Sequence, residues 1–121
     1  MSDRILFNCT HGAEDPERAT LPFVAANVAV ASGQQAAVVC TVDSVWLGTT
    51  GGADGVHAKG FAPLNDLLAT FVEGGGEIWL CSACTTPRGI TEEHAIPGAK
   101  IVGAAVVVEE IVNGAKAVSF A

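Results

Sequence analysis

No cluster of basic residues occurs anywhere in the sequence. Lys and Arg number 6 against 13 Asp and Glu, a net charge of −7. A nucleic-acid backbone demands clustered Lys and Arg, so that class of partner is excluded. The acidic surface supports solubility, with a weak bias toward cationic partners. Tyrosine is missing too, and aromatics amount to 6% of the 121 residues. Ala, Val and Gly dominate instead, and small side chains of this kind suit close packing of helices onto a sheet. No apolar run is long enough for a membrane. "LPFVAANVAVA", Leu21 to Ala31, is broken by Asn27 and falls well short of the roughly 20 residues a bilayer requires. No basic segment followed by a cleavage site opens the chain, so it reads as a soluble, cytoplasmic protein.

What is present fits one domain over residues 1–121, half of them hydrophobic, long enough for a real core. "RILFNCT" (Arg4–Thr10) reads as a buried strand. Asp15 can cap a helix from Pro16 to Ala31, with proline at its first position and Gly33 as its terminator. "AAVVCTV" (Ala36–Val42) is a second strand, and "WLGTTGGADGVHAKGF" after it an aperiodic, glycine-rich loop. A helix from Leu64 to Glu73 ends at the Gly74–Gly76 run, and "EIWLC" (Glu77–Cys81) is the third strand. "TEEHAIPGA" holds a short helical turn and "KIVGA" a fourth strand. "AVVVEEIVNG" reads as a helix, although its valines also permit a strand, and "KAVSF" closes the chain as a strand. Strands alternating with helices imply an α/β fold: a parallel sheet of about five strands with helices on both faces, in three layers.

Four cysteines are present, Cys9, Cys40, Cys81 and Cys84. Without a secretion signal they read as reduced thiols rather than as disulfide staples. Ligands of open parallel sheets bind beyond the carboxyl ends of the strands, and all four cysteines fall near that edge. Cys9 would approach Cys81 if the first and third strands were neighbours. For Cys9 and Cys40, inside β patterns, packing as small apolar residues is the ordinary reading. Cys81 and Cys84 differ, because they form a C-x-x-C at a strand exit, where N–H groups of a following helix and the nearby Arg88 favour a thiolate.

Three chemistries fit that pair. A thioredoxin-type dithiol needs the motif to lead straight into a helix, and Pro87 and Gly89 make the junction irregular. A zinc site needs further ligands, for which Cys9, His11, His57 and His94 are the candidates. Sulfur transfer needs one exposed reactive cysteine that carries a persulfide, and it tolerates a second thiol as resolver. "GTTGGADG" lacks the lysine and hydroxyl residue of a phosphate-binding loop, and no Ser-His-Asp spacing stands out. No metal or cofactor is assigned.

"THGAEDPERATLPFVAANVAVASG", followed by a strand and then by "GGGEIWLCSACTTPRGI", resembles the DsrE/DsrF-like superfamily over essentially the whole chain. That superfamily includes the DsrE and TusD sulfur-relay subunits and the YchN-like proteins. The resemblance implies a parallel α/β sheet, oligomers built on trimers, and a cysteine at the end of the third strand, seven residues before the arginine of an Arg-Gly pair. Cys81, Arg88 and Gly89 match those positions. The polar turn after the first strand adds Cys9, His11 and Asp15 as supporting residues. Cys84 matches a second cysteine of the YchN-like branch that the relay subunits lack. The peroxidatic motif of peroxiredoxins is absent.

These readings converge on a sulfur carrier or sulfurtransferase-like protein with Cys81 as the persulfide site and Cys84 as a mobile loop thiol that resolves it. The expected partners are further copies of the chain, as a trimer or hexamer, and sulfur donor and acceptor proteins. The alternatives are an oligomeric small-ligand-binding or redox module and a zinc-binding protein.

Overall fold

The computed structural model describes residues 1–120. Five strands, β1 (Ile5–Cys9), β2 (Ala36–Cys40), β3 (Glu77–Cys81), β4 (Ala99–Val102) and β5 (Lys116–Ser119), form a sheet in the order β4-β3-β2-β1-β5. Every neighbouring pair is parallel. The helices are α1 (Pro16–Ala31), α2 (Leu64–Glu73), α3 (Ser82–Thr85) and α4 (Ala104–Val112). The expected three-layer α/β architecture is therefore the one found.

The helix signals act as their chemistry requires. Asp15 Oδ1 accepts from the Arg18 backbone N–H at 3.2 Å, Pro16 supplies a fixed φ at the start of α1, and Gly33 follows its end with φ 83°. The valines of "AVVVEEIV" are helical for a topological reason. β4 and β5 are opposite edges of the sheet, so the chain between them must cross the face that α1 and α2 leave open, and a helix satisfies its own backbone on the way.

Alternation along the strands sorts the core into two faces. Phe7, Cys9, Val38, Cys40, Ile78 and Leu80 pack under α1 and α2, where Phe23 and Phe71 meet edge to face with ring centroids 6.2 Å apart. Leu6, Ala37, Val39, Trp79 and Val102 face the other way and are met by Val107 of α4. That second face is thinly covered. No residue of α4 is buried, and Val108 and Val112 are 60% and 77% exposed.

The segment expected as a structureless loop is more ordered than its composition indicates. Val42–Gly48 is a 3₁₀ helix that places Val45 and Leu47 wholly inside the core, and Ala53, Val56 and Ala58 beyond it are buried as well. Gly48 and Gly52 are there for space. A Cβ on Gly48 would lie 2.6 Å from a Leu80 methyl, and one on Gly52 would collide with the Trp46 carbonyl. A period of three over seven residues leaves too little pattern to read.

At the opposite end of the strands, Glu77 binds Arg4 at 2.6 Å and Lys100 at 3.1 Å. Both cations also lie over the Trp79 ring, at 5.2 and 5.6 Å from its centre. Burial alone would raise the Glu77 carboxyl. Hydrogen bonds from Trp79, Lys100 and Arg4 outweigh it and hold the group at about 2.

Candidate functional site

Cys81 is the last residue of β3 and the N-cap of α3. Its backbone is therefore fixed by the ladder to Val102 on one side of the motif. Cys81 lines a cavity of about 230 Å³ on the α4 face, walled by Val39, Val102, Val107 and Val108, with Asn8 and Thr41 as its polar members. The lining is overwhelmingly apolar, which suits a neutral, polarisable group rather than a hydrated ion.

Cys84 takes a different position. It lies inside α3, not in a loop as expected, and packs against the core face that α1 and α2 cover. Its sulfur accepts the backbone N–H of Val42 at 3.1 Å. Val42 reaches that position with φ 54°, a left-handed conformation that a β-branched residue rarely adopts. The two thiols of the C-x-x-C thus address opposite sides of the sheet edge. Both are partly exposed and reduced.

Arg88 and Gly89 build the support. The Arg88 guanidinium donates to Asp43 Oδ1 at 3.0 and 3.2 Å and to the Cys84 carbonyl at 3.0 Å. It ties the residue after Val42 to the backbone of Cys84, and so acts on the site through position. Gly89 has φ 69° and ends the 3₁₀ turn Thr86–Arg88, a conformation that glycine takes without strain. Thr41, Val42 and Asp43 are consecutive. One lines the Cys81 cavity, one holds the Cys84 sulfur, and one binds Arg88.

The expected approach of Cys9 to Cys81 is corrected by the strand order. β2 lies between β1 and β3, and Cys9 belongs to the core face under α1 and α2 rather than to the Cys81 cavity. Its neighbour is Cys40, directly across in register. Cys9 is 1% exposed and directs its S–H toward the carbonyls of His11 and Ala19, at 3.6 and 3.8 Å. Cys40 is pushed well up by its hydrogen bond with Cys9 and by complete burial, and remains a thiol. Ser44 closes this region by donating to the Cys9 carbonyl at 2.6 Å.

His11 and Asp15 stay within the turn between β1 and α1: His11 Nδ1 shares a hydrogen with Thr10 at 3.0 Å, and Asp15 caps α1 and pairs with Arg18 at 2.8 Å. His57 bonds the Phe61 carbonyl and His94 the Thr91 N–H. Among the described residues no three His, Cys, Asp or Glu side chains converge as metal ligands, so the candidate zinc ligands are not brought together. Sequence reasoning missed Thr41, Val42 and Asp43. Nothing in "CTVDS" marks a strained turn, because valine is a strand residue by preference.

The fold and site define a small three-layer α/β protein with a dithiol at the carboxyl edge of its sheet. The chain belongs to the DsrE/DsrF-like family, whose profile matches residues 3–120, and that membership suggests a role related to sulfur transfer. The uncharacterized protein MJ0760 of Methanocaldococcus jannaschii is 28% identical over 102 residues, 84% of this chain, and the match spans 37% of that protein's length. Among solved structures, the ychN protein from E. coli superposes with a TM-score of 0.80 at 17% identity, covering 98% of this chain and 100% of that one. MTH1491 from Methanobacterium thermoautotrophicum, a protein of unknown function, gives 0.76 at 15% identity, with 98% and 100% covered. At those identities the likeness is one of fold.

Proposed function

We propose that the protein is a sulfur carrier that holds sulfane sulfur as a persulfide on Cys81, with Cys84 as the thiol that discharges it. The observation that carries this reading is the placement of Cys81 in a cavity walled by valines. The outer sulfur of a neutral persulfide is polarisable and weakly hydrated, so an apolar wall favours it over water. In loading, the Cys81 thiolate attacks the outer sulfur of a donor R–S–SH. The Cys81 S–S bond forms, the donor S–S bond breaks, and R–S⁻ leaves.

Discharge has two routes. An acceptor thiolate attacks the outer sulfur, becomes a persulfide and leaves Cys81 as thiolate. Otherwise the Cys84 thiolate attacks Cys81 Sγ, a Cys81–Cys84 disulfide forms and HS⁻ departs. The N–H of Val42 supports Cys84 in that role, because a hydrogen bond to sulfur strengthens as negative charge gathers there. The protein works in this reading as a homo-oligomer, a trimer or hexamer. Support comes from the apolar residues that α4 leaves in water, since patches of that kind mark interfaces.

The test is persulfide loading from a small donor, read by mass spectrometry after trapping. Intact protein gains one sulfur on the peptide that carries Cys81. Undiminished loading of Cys81→Ser would overturn the proposal.

A further inference from the structure

The cavity at Cys81 has a floor and a roof of different origin. The floor comes from side chains on the α4 face of the sheet: Asn8 of β1, Val39 of β2, Thr41 just beyond it, Cys81 of β3 and Val102 of β4. The roof is Val107 and Val108 of α4. Cys40 pairs with Leu80 and Asn8 with Val39, so Thr41 lies one strand from Cys81 and Asn8 lies two. At about 4.8 Å per strand, the floor runs roughly 10 Å sideways from the cysteine.

No charged side chain lines this space. Its polar members, the Asn8 amide and the Thr41 hydroxyl, are both neutral. Ser44 donates to the Thr41 carbonyl at 2.6 Å, but among the described residues no hydrogen bond engages the Thr41 hydroxyl or the Asn8 amide. Both remain open to a polar atom of a ligand. An ionic group brought here would lose its hydration and meet no opposite charge, a loss that two neutral groups do not repay. Apolar atoms gain instead. An apolar cavity of about 150 Å³ takes up benzene, so the space at Cys81, about 230 Å³, has room for two sulfur atoms and on the order of six carbons.

We propose that this cavity binds the organic group of a low-molecular-weight sulfur donor, R–S–SH, in which R is neutral, apolar and on the order of six carbons in size. This rests on the reading of Cys81 as the persulfide site. The Cys81 thiolate attacks the outer sulfur of the donor. The Cys81 S–S bond forms, the donor S–S bond breaks, and R–S⁻ departs with the electron pair while the proton stays on the transferred sulfur. The three sulfurs lie in line during that displacement, so R extends away from Cys81, and the floor has the length to hold it.

The probes are n-alkyl methanethiosulfonates from methyl to hexyl. A cysteine thiolate displaces methanesulfinate from them and gains –S–R, which puts R where the donor's organic group would lie. Cys84→Ser reports the rate at Cys81, and Cys81→Ser the rate at Cys84, which lies off the cavity. The Cys81 rate is expected to rise about fourfold per methylene and to level off once the cavity is full, while the Cys84 rate changes little. Reagents whose ethyl chain ends in sulfonate or in trimethylammonium react with Cys81 on the order of tenfold more slowly than the propyl reagent. The use of both signs separates burial from the chain's charge of −7. Val107→Phe fills the roof and ends the rise at a shorter chain. Val107→Ala, with the better helix former, extends it, and circular dichroism checks the fold of both.

A flat chain-length profile at Cys81, an equal slope at Cys84, or full reactivity with the charged reagents overturns the site. A profile that disappears as protein concentration rises overturns it too, because a second copy then fills the cavity. Sulfur transfer is measured separately on the unmodified protein, with hexyl persulfide and glutathione persulfide as donors. A chain-length profile without transfer from either donor refutes the carrier reading and leaves the site. Equal transfer from both keeps the carrier and removes the selection of an apolar donor.

Discussion

The backbone N–H of Val42 and the sulfur of Cys84 meet at 3.1 Å, and the meeting is made in a conformation that Val42 would not choose, with φ 54°. The residue after it is clamped by Arg88, which itself holds the Cys84 carbonyl. Strain of this kind costs about 1 kcal/mol or more and persists where surroundings enforce it. Replacing Val42 by glycine relieves it while keeping the N–H, and the side chain surrenders little burial because it is 49% exposed. Val42→Gly is therefore expected to raise stability by about 1 kcal/mol in urea denaturation. An unchanged or lowered midpoint would show that the turn stores no strain.

Accessibility ranks the thiols. Cys9 and Cys40 are buried, whereas Cys81 and Cys84 are partly exposed. Limited alkylation at neutral pH, read by peptide mass spectrometry, is expected to label Cys81 and Cys84 before either of the other two. Simultaneous labelling of all four would mean that the sheet edge opens on the timescale of the reaction.

The strands themselves, the α1 cap and the position of Cys81 were legible because they rest on local signals: short apolar runs, an Asp-Pro start, and a β run that ends at a cysteine. What was not legible depended on pairs distant in sequence. The Cys9–Cys40 register follows from which strands are neighbours, and no residue type reports that. Val42 and Cys84 are 42 positions apart, and the turn that joins them is built from a residue whose preference is for strand. Trp46 looked like the first residue of a loop because its helix is too short to show a period.

The Glu77 cluster makes stability depend on acid. Its carboxyl is held at about 2, below its ordinary 4.5. A depressed carboxyl contributes its full stabilisation above the unfolded value and loses it as pH falls through the folded one. Glu77→Gln is expected to cost about 1 kcal/mol at pH 7, a figure discounted because the side chain is one-third exposed. The gap between wild type and variant should close from pH 4.5 downward to about 2. A gap that stays constant over that window would rule out the ion-pair origin.

Assembly through α4 is open to direct measurement. Val108 and Val112 are its most exposed large apolar residues, so a charge at each is expected to shift light-scattering mass from oligomer toward monomer without loss of helical circular dichroism. An oligomer of unchanged mass would place the interface elsewhere, and a wild-type monomer at micromolar concentration would remove the proposal.

The two thiols of the motif carry different tasks in the proposed cycle, and their surroundings separate them. Cys81 faces the apolar cavity, so Cys81→Ser is expected to abolish persulfide loading from a sulfur donor. Cys84 sits instead on the Val42 N–H and is the discharging thiol of the proposed cycle. Cys84→Ser should leave loading intact, prevent the Cys81–Cys84 disulfide and slow release of sulfide on the order of tenfold or more, while transfer to an external thiol continues. The measurement is trapped-persulfide mass spectrometry combined with sulfide detection over time. If Cys84→Ser blocks loading and Cys81→Ser does not, the N–H of Val42 has selected the nucleophile, and the roles of the two cysteines are the reverse of those proposed.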